Sequence, residues 1–245
     1  MCEDKGNLSI MNDHPQNTRR LAGELSKGAF IEQCIVCRSS MIKPFMRISS
    51  VNYWRCLYCE ATFLHPQHRL SQQEEYEHYL THENDAEDLG YRTFLSKLFE
   101  PMLLKLAGNT SGLDYGCGAS SALAQMFMEQ GLDMTLYDPF FYPDMDIFNQ
   151  RFDFISCSEV AEHFFQPAEE FDRLDELVKP GGWIGVMTTF QTDDNKFEGW
   201  RYRRDPTHVV FYRSKTFRVI AEQRDWICEI PCKDVVLMRK PFEKK

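Results

Sequence analysis

The stretch LDYGCG, residues 113–118, decides the fold of this chain. It begins as a short apolar strand, and a helix is predicted to start soon after it, near Ser121. Glycine at positions 116 and 118 allows the backbone to turn sharply between the two elements and to approach a ligand closely. The pattern therefore predicts a strand, a glycine turn and a helix, with a binding site at the turn.

An acidic residue, Asp138, follows the glycine turn at the position where a nucleotide-type site binds the ribose. Asp138 lies 24 residues beyond Asp114, at the predicted end of the next strand, where a carboxylate can bind both hydroxyls of a ribose. A dinucleotide fingerprint would need a further glycine at position 121, which is Ser121 here. An adenosyl ligand without a pyrophosphate does not need that contact. Dinucleotide-dependent oxidoreductases are the main competing interpretation of this turn.

Predicted strands and helices alternate from about Thr110 onward. This order is typical of an α/β fold with a doubly wound, Rossmann-like parallel sheet. The predicted strands are 112–115, 134–137, 152–157, 183–188, 226–230 and 234–239, and the predicted helices are 121–130, 160–178 and 214–223.

The rest of the chain divides by composition into three segments. Residues 1–29 are polar, with few large apolar groups, and are expected to form a flexible tail. Residues 30–66 form a predicted zinc-binding module with four cysteine ligands. Residues 67–109 form a helical linker and cap, with helices over 71–80 and 88–106. Residues 110–245 then form the α/β domain.

The zinc prediction rests on two cysteine doublets, Cys34 with Cys37 and Cys56 with Cys59, separated by 18 residues. This spacing is typical of a site in which two C-x-x-C turns each supply two thiolates to one tetrahedral ion. Such a closed shell leaves no position for water, so the zinc is predicted to be structural. The alternatives are four unrelated buried cysteines or one redox-active doublet.

The composition limits the classes of function. The net charge of −9 disfavours general nucleic-acid binding, because such binding depends on neutralising phosphates. We expect no membrane span and no export signal, since the sequence has neither a long apolar run nor an apolar segment near its start. Nine cysteines then indicate a reducing, cytoplasmic location and thiolate ligands rather than disulfides.

Two further segments, FDFISCSEVAEH at residues 152–163 and LVKPGG at residues 177–182, extend the pattern to four motifs in order. Over residues 90–240 the chain resembles class I S-adenosylmethionine-dependent methyltransferases. The resemblance implies that S-adenosylmethionine is the cofactor. It also implies that Asp138 contacts the ribose of this cofactor, Ser158 its sulfonium and Arg92 its carboxylate. The methionine half would be lined by Asp114, Gly116 and Gly118.

The chain departs from that family at two places. Ser120 stands where a third glycine is frequent. Only fourteen residues separate Asp138 from Asp153, which is too short for the usual third strand and its helix. We therefore expect an abbreviated third-strand region, which leaves the adenine contacts unassigned.

A second group of polar residues follows the predicted strand 152–157. One helical face would present Glu159, Glu162 and His163 together, and His208 follows 45 residues later. Two carboxylates and two imidazoles could hold a divalent cation with positions left open for substrate. Without a cation, His163 or His208 could act as a general base. A structural role in capping and packing the helix is the third alternative.

The Glu-x-x-Glu-His segment is similar to that of two methyltransferase groups, the ubiquinone-biosynthesis O-methyltransferases and the small-RNA 3′-terminal 2′-O-methyltransferases. The resemblance implies a metal at this segment that binds substrate oxygens, joined in the RNA group by a later histidine. Both the metal-bound and the metal-free interpretation favour O-methylation.

The leading hypothesis is a methyltransferase that acts on an oxygen of a small biosynthetic intermediate or sugar, with the zinc module covering the active site or presenting the acceptor. The first alternative is a protein or RNA acceptor, with the zinc module as docking element. The second alternative is a non-catalytic scaffold that binds the cofactor or its demethylated product.

Two further features bear on the acceptor. Residues 190–202 form an aromatic loop, predicted to be a substrate lid. Four nearby arginines could bind an anionic group of the substrate, or they could be solvated surface groups that form weak ion pairs. These are Arg201, Arg203, Arg204 and Arg213.

Overall fold

The structure is a computed structural model that describes residues 31–81, 85–108 and 110–243, so the predicted tail over 1–29 lies outside the described residues. Two sheets and five α-helices are assigned in this part of the chain. The strands are β1 (Ile42–Ile48), β2 (Val51–Cys56), β3 (Thr62–Leu64), β4 (Ser111–Tyr115), β5 (Asp133–Tyr137), β6 (Phe152–Ser158), β7 (Val178–Met187), β8 (Val210–Phe211), β9 (Ile227–Cys232) and β10 (Val235–Arg239). The helices are α1 (Gln72–Tyr79), α2 (Leu89–Leu103), α3 (Ala122–Glu129), α4 (Pro167–Leu177) and α5 (Ser214–Glu222).

The larger sheet confirms the predicted doubly wound α/β fold. Its strands lie in the order β5-β4-β6-β7-β10-β9. The first four are parallel, whereas β10 runs antiparallel to both β7 and β9. The chain passes from β4 to β5 on one side and then to β6 on the other. The carboxyl end of β4 is therefore a switch point, where open α/β sheets bind their ligands.

The expected abbreviation of the third-strand region is confirmed. β5 lies at the edge of the sheet, and no strand of the described residues pairs with its outer side. Between β5 and β6 the chain forms only the short 3-10 helix Met145–Asn149. That helix places the Phe148 ring 5.2 Å from the ring of Tyr137, the last residue of β5.

The smaller sheet joins the cysteine doublets to the α/β domain. Its antiparallel strands lie in the order β1-β2-β3-β8. β1, β2 and β3 come from the segment that contains the cysteine doublets, whereas β8 comes from the α/β domain, after β7 in the chain. The segments over 30–66 and 110–245 therefore share one sheet.

The predicted helix over 160–178 is wrong in its first turns and at its end. Ala161–His163 form a 3-10 helix, and α4 begins only at Pro167. Proline fits the first turn of a helix but not its interior, because it has no N–H and its ring crowds the preceding turn. Val178 already belongs to β7. Glu159 precedes the 3-10 helix with a φ of 53°, so Glu159, Glu162 and His163 do not share one helical face.

The two helices predicted in the linker are present as α1 and α2. α2 buries Leu95, Leu98 and Met102 against β7, where Gly185 leaves the necessary room. A Cβ at Gly185 would collide with the Met102 methyl carbon. Within the described ranges, no helix combines the length and the apolar character that crossing a membrane requires.

Candidate active site

A cavity of about 980 Å³ opens at the carboxyl ends of the parallel strands. Its wall includes the glycine turn after β4, the loop after β5 and residues 158–165 after β6. Residues of α1 and of the segment 200–208 also line the cavity. The volume is at the upper end of the range for small-molecule sites, roughly 300–1,000 Å³, and has room for a nucleoside-sized ligand beside a second molecule.

The glycine turn has the geometry that the sequence predicts. Gly116 and Gly118 have φ angles of 78° and 61°, a region that favours glycine. The Gly116 N–H donates to the Tyr137 carbonyl at 2.7 Å, and a Cβ at Gly116 would lie 2.5 Å from the methyl carbons of Val160. A Cβ at Gly118 would meet no atom within 4 Å, so the space beside it is open. The Gly118 N–H donates to Asp138 at 3.1 Å.

Two carboxylates flank this turn. Asp138 also accepts hydrogen bonds from the backbone N–H groups of Phe140 and Phe141, at 2.9 and 3.1 Å, so the backbone fixes its position in the cavity wall. Asp114 is 3% exposed and accepts a hydrogen bond from the Ser156 hydroxyl at 2.7 Å. Burial raises the pKa of Asp114 to about 6, although the Ser156 hydroxyl opposes the shift.

Ser158 Oγ and Glu159 Oε1 are among the buried polar atoms of the cavity wall that have no hydrogen-bond partner in the described part of the chain. Leaving such an atom unpaired costs free energy, so both atoms indicate where a ligand would supply the missing bond. Burial, and secondly the Glu162 carboxylate, raises the pKa of Glu159 to about 9. These residues fit S-adenosylmethionine, whose amino-acid end carries an ammonium group.

Arg92 lies outside the described cavity wall. Its guanidinium forms an ion pair with Glu129 and donates to the Ala86 carbonyl at 3.4 Å. Its contact with a cofactor carboxylate therefore stays a prediction, and the contacts of its side chain do not support it.

Glu162, His163 and His208 come together as one group, and each offers an atom within 4.8 Å of the others. His208 Nε2 lies 4.0 Å from Glu162 Oε1, and the rings of His163 and His208 meet edge to face with centroids 4.8 Å apart. Glu162 is fully buried. Glu159 is not part of this group, because it precedes the 3-10 helix that carries Glu162 and His163.

Backbone carbonyls fix both imidazoles. His163 Nδ1 lies 3.2 Å from the Thr207 carbonyl, and His208 Nδ1 lies 2.7 Å from the Tyr202 carbonyl. Because a carbonyl only accepts, each Nδ1 carries the proton and donates. The Nε2 atom of each neutral ring is then the one that can accept a proton or bind a metal.

Burial favours the neutral forms of this group. It raises the pKa of Glu162, whereas His208 and the Tyr202 hydroxyl oppose the rise. It lowers the pKa of His208, which the Glu162 carboxylate opposes. A cation bound between these side chains would compensate the buried carboxylate.

α1 contributes residues that the sequence pattern did not place at the site. Glu75 and Tyr79 line the cavity, and the Tyr79 ring lies 5.5 Å from the His163 ring. His78 Nε2 lies 3.3 Å from Asp205 Oδ1. Burial raises the pKa of Glu75 to about 7. The helix itself was predictable, but α1 has no continuous apolar stripe that would indicate which side packs against the domain.

The aromatic loop over 190–202 is divided between the cavity and the interior. Trp200 and Tyr202 line the cavity. Phe197 is fully buried, with its ring 5.3 Å from Phe45 and 5.0 Å from Tyr53. The role of this loop as a lid stays a prediction.

The nearby arginines do not form one patch. Arg201 lines the cavity. Arg203 donates to the Tyr53 hydroxyl at 3.2 Å, and Arg213 forms ion pairs with Asp194 and Glu60. Of the four arginines, Arg201 is the one in the cavity wall.

The predicted zinc ligands converge. Cys34, Cys37, Cys56 and Cys59 are buried, and their sulfur atoms lie within 4.8 Å of one another. The Sγ atoms of Cys34 and Cys59 are 3.7 Å apart, and those of Cys37 and Cys56 are 3.6 Å apart. Zinc–sulfur bonds of about 2.3 Å give a tetrahedron with edges of about 3.8 Å. The donor set and its spacing therefore fit a structural zinc ion.

Comparisons with known proteins identify a family. The family described as a methyltransferase domain matches residues 83–228, which is more than half of the chain. No protein of curated function matches the sequence significantly.

Several solved structures are similar to this chain. An O-methyltransferase family protein from Burkholderia thailandensis is 13% identical, with 70% of this chain and 69% of that chain covered and a TM-score of 0.43. The 1,6-didemethyltoxoflavin-N1-methyltransferase of the same organism, with bound 1,6-didemethyltoxoflavin and S-adenosylhomocysteine, is 14% identical, with 81% and 99% covered and a TM-score of 0.46. An N-methyltransferase from Bradyrhizobium japonicum is 14% identical, with 63% and 98% covered and a TM-score of 0.37.

The family match extends from the linker before α2 into β9, and so includes the glycine turn and the strand ends that surround the cavity. Because that match covers most of the chain and the cavity fits the cofactor, the chain belongs to the methyltransferase-domain family, as an S-adenosylmethionine-dependent methyltransferase.

Proposed function

We propose that this methyltransferase acts on an oxygen atom of a small biosynthetic intermediate or sugar. The observation that carries the proposal is the group of Glu162, His163 and His208 in the wall of the cavity that also contains the glycine turn. A hydroxyl acceptor must lose its proton as it attacks, and buried imidazole and carboxylate groups beside the cavity can assist this loss.

We propose further that Glu162, His163 and His208 hold a divalent cation, with Glu159 as an additional candidate ligand. Two imidazoles and one carboxylate suit Mn²⁺, Fe²⁺, Co²⁺ or Zn²⁺ better than Ca²⁺, which prefers oxygen ligands. Such an ion would bind the acceptor hydroxyl and lower its pKa. In the cation-free alternative, His163 or His208 accepts the proton at Nε2.

The other cavity residues have roles toward the donor. S-adenosylmethionine supplies an electrophilic methyl group on a sulfonium. We propose that Asp138 holds its ribose, that Asp114, Gly116 and Gly118 line its methionine half, and that Ser158 borders its sulfonium, next to the buried oxygen of Glu159 that has no hydrogen-bond partner among the described residues.

We also propose a structural zinc ion bound by Cys34, Cys37, Cys56 and Cys59, which implies a reducing, cytoplasmic location. The convergence of the four sulfur atoms supports this proposal. The zinc would stabilise the turns on which the smaller sheet is built.

The small acceptor is favoured over a macromolecule by the surroundings of the site. α1 contributes to the cavity wall. The two cysteine turns pack against α5: the Thr216 hydroxyl donates to the Cys59 carbonyl at 2.9 Å. The side chain of Gln223, directly after α5, donates to the Cys37 carbonyl at 2.9 Å. One observation favours the macromolecular alternative. Leu57 and Tyr58, at the tip of the second cysteine turn, are 47% and 41% exposed.

Calorimetry with S-adenosylhomocysteine, followed by a screen of metabolite extracts with labelled S-adenosylmethionine, tests the proposal. We expect binding of the product and label transfer into an alkali-stable O-methyl product of low mass. Glu162→Ala and His208→Ala should lower the transfer rate by roughly 100-fold or more while keeping product affinity, and His68→Ala, outside the cavity wall, is the control.

The outcomes separate the alternatives. Loss of activity with a chelator, restored by a divalent cation, supports the metal version, whereas activity insensitive to the chelator supports the histidine base. Full activity in both alanine variants would contradict the role of the group. Label found only in protein or RNA would replace the small acceptor with a macromolecule.

A further inference from the structure

We infer that Tyr202 is the positioning residue of the Glu162–His163–His208 group. Its hydroxyl holds the carboxylate, and its backbone carbonyl holds His208. The inference deepens the proposed function and rests on the proposed cation at this group. The sequence pattern placed Tyr202 only in an aromatic loop.

The direction of the hydrogen bonds at the Tyr202 hydroxyl is determined by its neighbours. The Thr189 N–H donates to this oxygen at 3.3 Å, and the Thr188 hydroxyl lies 2.9 Å from it. A tyrosine hydroxyl has one proton. That proton is donated to Glu162 Oε1 in a close hydrogen bond, so the Thr188 hydroxyl donates to Tyr202. Glu162 is thereby held as an acceptor through one oxygen.

The second oxygen of Glu162 is left open. Oε2 is buried and has no hydrogen-bond partner among the described residues. A carboxylate that only stabilised the fold would gain from pairing both oxygens, since an unpaired buried acceptor costs free energy. The open oxygen of a cavity-lining residue instead indicates a ligand position.

The same tyrosine fixes His208. The His208 ring packs against the Tyr202 ring with centroids 4.2 Å apart, and its Nδ1 donates to the Tyr202 carbonyl at 2.7 Å. These two contacts set the orientation of the ring and the position of its proton, so that Nε2 is the ligand atom. One residue therefore orients two of the three proposed ligands of the cation.

The test uses protein that carries one zinc ion per chain, enough for the four cysteines alone, and Mn²⁺ as the probe, with free Mn²⁺ measured by electron paramagnetic resonance. Mn²⁺ prefers oxygen and nitrogen ligands and does not compete for a site of four thiolates. Tyr202→Phe should weaken Mn²⁺ binding by roughly 10- to 100-fold, the usual effect of removing a residue that orients a metal ligand. Affinity for S-adenosylhomocysteine should stay within about twofold.

Two further variants sharpen the measurement. Thr188→Val removes the donor to the Tyr202 hydroxyl but keeps the tyrosine that bonds to Glu162 and His208, so it should weaken Mn²⁺ binding by less than Tyr202→Phe does. Tyr58→Phe removes a hydroxyl from a residue that is 41% exposed and should leave Mn²⁺ binding unchanged. If Tyr202→Phe does not fold, Thr188→Val decides the outcome.

Equal Mn²⁺ affinity in the wild type, Tyr202→Phe and Thr188→Val would overturn the positioning role. A wild type that binds no Mn²⁺ would overturn it together with the cation site. In either case, retained binding of S-adenosylhomocysteine leaves the methyltransferase intact, so this failure differs from failure of the proposed function.

Discussion

Gly116 and Gly131 have nearly the same backbone conformation, with φ angles of 78° and 79°, but different surroundings. A Cβ at Gly116 would lie 2.5 Å from the Val160 methyl carbons, whereas a Cβ at Gly131 would meet nothing within 4 Å. This pair separates the cost of the conformation from the effect of crowding at the cofactor turn.

We predict that Gly116→Ala and Gly131→Ala each lose about 1 kcal/mol of unfolding free energy, because an L-residue is disfavoured at such a φ. Gly116→Ala should additionally displace Val160 and weaken S-adenosylhomocysteine binding by roughly tenfold or more, about 1.4 kcal/mol. Calorimetry and urea unfolding measure the two effects. Equal product affinity in both variants would contradict the role assigned to the turn.

Asp114 should make stability depend on pH in an unusual direction. Its pKa is raised to about 6 by burial, whereas an unfolded Asp titrates near 3.9. Between about pH 4 and pH 6 the folded chain keeps a proton that the unfolded chain has lost, so this group makes the free energy of unfolding fall as the pH rises. The fall from this group amounts to about 3 kcal/mol at most.

Asp114→Asn has no such proton, and its stability should therefore decrease less over the same interval. Urea unfolding at about pH 4 and about pH 6 measures both proteins, and comparing the two differences removes the contribution of other titrating groups. Identical differences would show that Asp114 does not bind a proton more tightly in the folded state.

β3 is the element that connects the cysteine module to the acceptor side of the cavity. The Leu64 N–H donates to the Val209 carbonyl, and the Val209 N–H donates to the Glu162 carbonyl, each at 2.8 Å. Val209 directly follows His208. A strand of the module thus braces the backbone that carries two of the proposed cation ligands.

Leu64→Pro removes this N–H, while Leu64→Val keeps it with a similar apolar side chain. The proline variant should lose about 1–3 kcal/mol of stability, because the Val209 carbonyl is left unpaired. It should also weaken Mn²⁺ binding more than the valine variant does, with unchanged product affinity, because the cofactor turn lies on other strands. Mn²⁺ binding that is equal in the two variants would argue against the brace.

The ends of strands and helices were predictable where turn residues and the local hydrophobic pattern determine them. Five of the six strands of the larger sheet were predicted within two residues of their observed ends, whereas β7 begins at Val178, five residues before the predicted strand 183–188. The short interval between Asp138 and Asp153 correctly excluded a full third strand. The predicted helix over 160–178 was wrong at its start, because proline is accepted in the first turn of a helix but not in its interior. Pro167 begins α4 and leaves Glu162 and His163 in a separate 3-10 helix.

At the scale of the whole molecule, the cysteine site is part of the main apolar core. The four cysteines belong to the same buried cluster as Phe211 and Phe217. The loss of the metal should therefore affect more than the module itself, since a structural zinc contributes folding free energy.

Cys56→Ser should contain about one zinc ion per chain less than the wild type and should unfold several degrees below it. Cys232→Ser, at an exposed position on β9, should change neither property. Elemental analysis and thermal unfolding measure both effects. A zinc content in Cys56→Ser equal to that of the wild type would contradict the assignment of Cys56 as a ligand.

The α/β class, the glycine turn with Asp138 and the spacing of the four cysteines could all be read from the sequence alone. These features depend on residues close together in the chain or on the alternation of strands and helices, and the physics of such turns is local. The tertiary structure was needed to show that Arg92 pairs with Glu129 and that β3 pairs with β8. It also brought Tyr202 and α1 to the cavity. These contacts join residues far apart in the chain, and packing and hydrogen-bond pairing select them in ways that no local spacing records.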